Sequence, residues 1–193
     1  MEWKPVRRVV TGHNADGKAI IQEDGFAPRQ LLIGGEHGPM FHEIWNTRGT
    51  PVEIDHNSGE PHEEGIILSP PERGVRIRVL EIMPDDEQRF DDMSPEERKA
   101  HFAEIGAEDA VAEEGKSTRH AFMHRTETVD FGIVLEGELV LIMDEGETTI
   151  GPGDIVVQRG TNHGWANRSD KVCRIAFVLI DGTYTPELKA QLP

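Results

Sequence analysis

The sequence predicts an all-β fold, a barrel or sandwich built from short strands. Three observations predict it. Glycine and proline are frequent, 20 and 12 among 193 residues, and are scattered through the chain, which suits many turns between short strands better than a helical bundle. The last third alternates apolar runs with turn signals at close spacing. Only one segment carries a good helix start. With 36% hydrophobic and 29% charged residues, the chain has the composition of a globular protein and the length to bury a core as one domain, 1–193.

The elements follow in order. Val6 to Val10 and Lys18 to Gln22 flank Asn14-Ala15-Asp16-Gly17, whose Asp-Gly step suits a tight turn between antiparallel strands. Met40 to Asn46 is a further strand. Thr47 to Gly65 is polar, carries Pro51 and Pro61, and reads as a loop. Residues 1–70 thus form N-terminal strands and loops, predicted to pack on the barrel or on a dimer partner. The barrel proper spans 75–181. It opens with Val75, Ile77, Val79 and Ile82 mixed with Arg76, Arg78 and Glu81, a near-alternation that predicts a half-buried strand. Ser94-Pro95-Glu96-Glu97 then supplies a cap, a proline at the first helical position and a capping box. That predicts one short surface helix running to about Ile105, closed by Gly106. Val129 to Leu135 and Glu138 to Met143 read as one hairpin about Glu136-Gly137. Strands at Glu147 to Ile150, Ile155 to Gln158, Thr161 to Asn167 and Val172 to Ile180 complete the set.

Charge and cysteine content narrow the function. Lys+Arg 20 against Asp+Glu 36 gives a formal charge of −16, which repels phosphate backbones and anionic membranes. Acidic clusters such as Asp85-Asp86-Glu87 and Asp91-Asp92 read as solvated surface. The single cysteine, Cys173, excludes an intrachain disulfide and a thiolate cluster, and its apolar run predicts a small buried side chain. No stretch approaches the roughly 18 apolar residues of a membrane helix, and the first ten residues lack a signal-peptide core. The cytoplasm is the expected compartment.

One constellation carries chemistry. His124, Thr126 and Asp130 share a parity on one strand, so all three point to one side. His163, Trp165 and Asn167 share a parity on another. A barrel that brings these strands face to face places His124, Asp130 and His163 within reach of one divalent ion, Fe, Zn, Mn or Ni, with positions left open for water or substrate. Trp165 is expected in the pocket wall, His120 or His42 at its mouth, and Asn167 as a cap on the strand end. His13, His37, His56, His62 and His101 are expected to face solvent.

These residues resemble the cupin superfamily. The first half of its signature is His-x-His, three or four residues, Glu, six residues, Gly; here it reads His124-Arg125-Thr126, then Asp130, then Gly137. The second half appears as Pro152-Gly153-Asp154 and then His163-Gly164-Trp165-Ala166-Asn167. Val134-Leu135-Glu136-Gly137-Glu138 is similar to the family as well. The likeness covers about a third of the chain, from His120 to Asp181, and implies a double-stranded β-helix, or jelly roll, and a homodimer. Two positions depart from the pattern: Thr126 replaces the second histidine and Asp130 the glutamate. A subgroup of short bacterial and fungal cupins is similar in carrying this altered motif.

Two functions follow. The first is a metal-dependent enzyme acting on a small oxygen-bearing metabolite by dioxygenation, decarboxylation, isomerisation or dehydration. In it His124 and His163 are ligands, Asp130 a ligand or general base, and Thr126 a supporting hydrogen-bonding residue. The second is a metal-free module binding an apolar or aromatic small ligand, favoured by Thr126. Sensing coupled to DNA binding is disfavoured by the charge and by the lack of a helix-turn-helix.

Overall fold

In the computed structural model, which describes residues 3–35, 38–55, 65–85, 93–107, 109–110 and 119–192, eleven strands and two short helices are assigned. The strands are β1 (Arg7–His13), β2 (Ala19–Phe26), β3 (Arg29–Leu32), β4 (Met40–Thr47), β5 (Val75–Ile82), β6 (Thr128–Glu136), β7 (Leu139–Met143), β8 (Glu147–Ile150), β9 (Ile155–Arg159), β10 (His163–Ala166) and β11 (Cys173–Asp181). The helices are α1 (Pro95–Ala103) and α2 (Pro186–Lys189). A six-stranded sheet runs β3-β4-β5-β11-β6-β9 and a three-stranded sheet β10-β7-β8, while β1 and β2 form a hairpin apart.

Alternation fixes which faces meet. Along β11, Cys173, Ile175, Phe177 and Leu179 are buried and the residues between them only half so. On β6, Thr128, Asp130, Gly132 and Val134 are buried and Val129 and Leu135 exposed. With period 2, one face of each strand looks into the core. Val134, Leu139, Ile150, Ile175, Phe177, Phe41 and Leu80 join there with Phe102 and Ile105. Each such side chain contributes about 1.5–3 kcal/mol by leaving water. Met123, Val140, Ile142 and Ala166 form a smaller cluster.

Three strand predictions are corrected in part. The β1–β2 hairpin forms about Asn14, whose Oδ1 accepts from the Asp16 and Lys18 amides, but the strands run further than predicted, to His13 and Phe26. Residues 129–143 do not form a hairpin. β6 pairs with β11 and β9, whereas β7 pairs with β10 and β8, so Gly137 is the corner at which the chain changes sheet. Its φ is 75°, and a Cβ there would lie 2.8 Å from the Val172 carbonyl oxygen and 2.9 Å from the Cys173 Cα. Only glycine fits so close an approach.

β5 is not half-buried. It lies between β4 and β11, and Arg76, Arg78 and Glu81 are 1%, 1% and 4% exposed. Buried charges require partners. Arg76 Nη1 and Arg78 Nε reach the two Glu43 carboxylate oxygens at 2.8 and 2.9 Å. Glu81 on the opposite face accepts from the Lys4 amide at 3.1 Å and pairs with His42 Nε2 at 3.0 Å. The N-terminal segment therefore covers that face, with Arg8 stacked over Trp45 and donating to the Ile44 carbonyl.

Helix α1 starts at the predicted cap. Ser94 Oγ accepts from the Glu97 amide and Glu97 Oε2 from the Ser94 amide. It ends at Ala103, two residues early, and its last turn buries Phe102. The second helix, α2, was not predicted. No helix among the described residues is long and apolar enough to cross a membrane.

Candidate functional site

The barrel interior holds a cavity of about 160 Å³. His124, Thr126, Asp130, His163, Trp165 and His120, the site residues chosen from sequence, all line it. Most of the remaining wall is apolar: Phe41, Phe102, Phe122, Phe177, Leu80 and Ile105 among others. Rings follow one another along it. Phe102 lies 5.3 Å from His124, His124 4.3 Å from His163, His163 5.4 Å from Trp165, and Trp165 5.2 Å from Phe177, between centroids.

Strand pairing places the two histidines together. His124 lies ahead of β6 and forms a single antiparallel bridge with His163, the first residue of β10. Their amides and carbonyls exchange hydrogen bonds of 2.8 and 2.9 Å. Each ring then turns its Nδ1 back to a carbonyl two residues upstream. His124 Nδ1–H donates to the Phe122 carbonyl at 2.9 Å, and His163 Nδ1 lies 2.9 Å from the Thr161 carbonyl oxygen. A carbonyl only accepts, so neutral His124 carries its proton on Nδ1 and leaves Nε2 bare, whereas at His163 Nδ1 the accepting Thr161 carbonyl competes with the donating Gln158 amide, 3.0 Å away. Burial lowers the basicity of both rings, His163 well below the ordinary histidine value, where the neighbouring His124 adds to the effect.

Asp130 stands on β6 at the end of a polar ladder. Thr126 Oγ1 lies 2.7 Å from Thr128 Oγ1, and the Thr128 side chain hydrogen-bonds the Asp130 carboxyl. Asp130 is 6% exposed, and its Oδ1 is buried without a hydrogen-bond partner among the described residues. Burial pushes its pKa up to about 6, against the opposing pull of Thr128 and Arg78.

Other expectations resolve plainly. Asn167 is structural: its amide donates to the Ile82 and Lys171 carbonyls at 2.8 Å each. Cys173 is buried, and burial with Glu138 nearby pushes its thiol up to about 12, far from a nucleophile. His42 neither faces solvent nor lines the cavity; it is buried against Glu81. His37, His56, His62, Asp86, Glu87, Asp91 and Asp92 lie outside the described residues. His101, Asp85 and Arg78 line the cavity and were not chosen from sequence. His120 Nε2 lies 3.4 Å from Asp85 Oδ2.

The predicted metal triad is not assembled. Among the described residues, no three His, Cys, Asp or Glu side chains converge closely enough to hold one ion. His124 and His163 have the anchored geometry of metal-binding imidazoles. Asp130 does not join them, and Thr126 is engaged with Thr128. Two nitrogens fall one short of the three protein ligands usual at a catalytic centre such as zinc's.

Residues 109–180 match the model of the family described as "Cupin domain". The cupin-domain-containing oxidoreductase srdD of Neurospora crassa is 43% identical over 186 residues, covering 92% of this chain and 76% of that protein. The chain belongs to the cupin-domain family. Phomopsin biosynthesis cluster protein C' of Diaporthe leptostromiformis is 28% identical to this cupin over 188 residues, covering 93% and 80% of the two chains. Among solved structures, the Cnp3 cupin domain of Schizosaccharomyces pombe aligns over 98% of this chain and 95% of its own, with a TM-score of 0.43 and 10% identity.

Proposed function

We propose that this cupin is an enzyme that moves protons on a small oxygen-bearing substrate with an apolar body, isomerising or dehydrating it. The observation that carries the proposal is the segregation of the cavity wall, with His124, His163, Thr126 and Asp130 set among aromatic and aliphatic side chains. A pocket of that kind binds the body of a ligand by burial and orients it by a few polar groups. An engineered apolar cavity of about 150 Å³ takes benzene, so this one suits a molecule of single-ring size.

The roles follow from protonation. His124, neutral with a bare Nε2, is the general base. Asp130, protonated over part of the neutral range, is the general acid, and Thr126 hydrogen-bonds the substrate oxygen. The similarity to a protein named as an oxidoreductase supports a small-molecule enzyme.

A second reading uses the same two rings. Fe, Zn, Mn or Ni held by His124 and His163 is favoured by their carbonyl-anchored Nδ1 atoms, and it requires further ligands from solvent or substrate. We also propose a homodimer, formed through the exposed apolar face of β6 and β9.

The test is proton exchange. Cyclohexanone and phenylacetone are incubated with the protein in D₂O, and loss of their α-proton signals is followed by NMR. The wild type is expected to exceed background, and Asp130→Asn to lose about 10²-fold or more of that rate. Tight binding of both ketones without exchange would overturn the enzyme reading in favour of a binding module.

A further inference from the structure

Asp85 opens the acidic run that reads from sequence as solvated surface, yet its side chain is 10% exposed and lines the cavity. Two contacts hold it there. Its amide donates to the Asn167 carbonyl at 2.8 Å, which ties the chain beyond β5 to the end of β10. Its Oδ2 lies 3.4 Å from Nε2 of His120, whose side chain is 8% exposed and lines the same cavity. The other edge of that ring decides where its proton sits. The Phe122 amide donates to His120 Nδ1 at 3.3 Å, so the neutral ring carries its proton on Nε2, towards Asp85. Room for the ring comes from Gly164. A Cβ there would lie 3.2 Å from the His120 Cβ and 3.3 Å from its Nδ1.

We propose that the Asp85 carboxylate, backed by His120, is a second polar subsite of the cavity that takes a hydrogen-bond donor of the ligand, a hydroxyl or a protonated amine. The proposal deepens the reading that the cavity holds a small oxygen-bearing molecule with an apolar body, and rests on it. A carboxylate accepts at about four positions, and among the described residues His120 is the only polar partner of this one. Taking a carboxylate out of water is costly unless donors replace the water. A single imidazole N–H at 3.4 Å leaves most of that acceptor capacity unused. The neighbouring wall adds none, since Ile82, Met83, Pro84 and Phe122 bring apolar side chains. Arg78, the cation in the wall, has Glu43 for its carboxylate, at 2.9 Å. A donor carried in by the ligand meets the need. The ligand then has two polar groups on one apolar body, its oxygen beside His124 and Thr126 and its donor at Asp85.

The experiment compares the affinities of cyclohexanone, 4-hydroxycyclohexanone and 4-aminocyclohexanone for the full-length protein by NMR titration at pH 8, where the amine is protonated. Each Kd is read as a ratio to that of cyclohexanone on the same variant. In the wild type both substituted ketones are expected to bind about tenfold tighter or more. In Asp85→Leu both ratios are expected to fall to within twofold of one. In Asp85→Asn the amide oxygen still accepts, so the hydroxyl preference is expected to survive in part and the ammonium preference to be lost. Equal affinity for the three ketones in the wild type overturns the proposal. So does a preference that persists in folded Asp85→Leu, or one that disappears in Asp130→Asn with Asp85 intact. Absence of α-proton exchange in a wild type that keeps the preference would sink the enzyme reading and leave the Asp85 subsite standing.

Discussion

His124 and His163 face one another across a single antiparallel bridge, their ring centroids 4.3 Å apart and each Nδ1 tied to a carbonyl 2.9 Å away. The pairing gives the cavity two neutral imidazoles side by side and no third ligand from the described residues. On the proposed reading a proton is what passes here. Prolonged dialysis against a chelator should leave ketone exchange within twofold of the untreated protein. If exchange falls more than tenfold, returns with one of Fe²⁺, Zn²⁺, Mn²⁺ or Ni²⁺, and His163→Ala no longer retains that metal, the metal reading takes its place.

Asp130 links the site to stability. Its carboxyl titrates near 6 in the fold and near 3.8 without it, because burial disfavours the anion. The folded chain thus holds a proton that the unfolded chain has released. The stability this represents is complete below about pH 4 and is lost as pH rises through 6; a displacement of this size corresponds to about 3 kcal/mol. Asp130→Asn should therefore raise the urea midpoint at pH 8 and change it little at pH 4. Equal effects at both pH values would show that the carboxyl is not held high.

Much of this was legible in residues, and the failures have physical causes. On β6 and β11 one apolar parity faces the core; His124, Thr126 and Asp130 all line the cavity, but only Asp130 stands on β6, and the other two precede the strand on which a shared parity was predicted. Alternation on β5 grouped Arg76 with Arg78. It did not reveal that both faces of the strand are covered, one by the barrel interior and one by the segment about Lys4. Glu136-Gly137 has the length of a hairpin turn, but the obstacle at Gly137 is the start of β11, more than thirty residues away in sequence. His101 and Phe102 reach the cavity because α1 packs over it, which a weak apolar stripe does not announce.

The Glu43 carboxylate is shared by two buried guanidinium groups, at 2.8 Å to Arg76 and 2.9 Å to Arg78, and Arg78 also stacks over Phe41 in the cavity wall. Removing one partner of a buried ionic group leaves charge without compensation, which costs about 3–5 kcal/mol. Glu43→Gln should lower stability by that amount in urea denaturation. It should also disturb ligand binding, since Arg78 lines the pocket and bears on Asp130. A loss under about 1 kcal/mol would mean that the arginines are compensated elsewhere.

The outer face of β6 and β9 carries a patch of exposed apolar side chains. Val129, Leu135, Ile155 and Val157 are 38%, 44%, 61% and 55% exposed, and the register sets Phe131 against Val157 and Ile133 against Ile155. This patch, on a chain of net charge −16, is what supports the proposed homodimer, because isolated apolar residues scatter and these do not. A second copy brings the same face, and a two-fold axis through it matches the patch to itself. Light scattering should therefore give twice the chain mass at micromolar concentration. Val157→Lys with Ile155→Lys should give a folded monomer that keeps ketone binding, since both side chains point away from the cavity. A wild type that stays monomeric at hundreds of micromolar would remove the interface, and a double variant that stays dimeric would move it to another face.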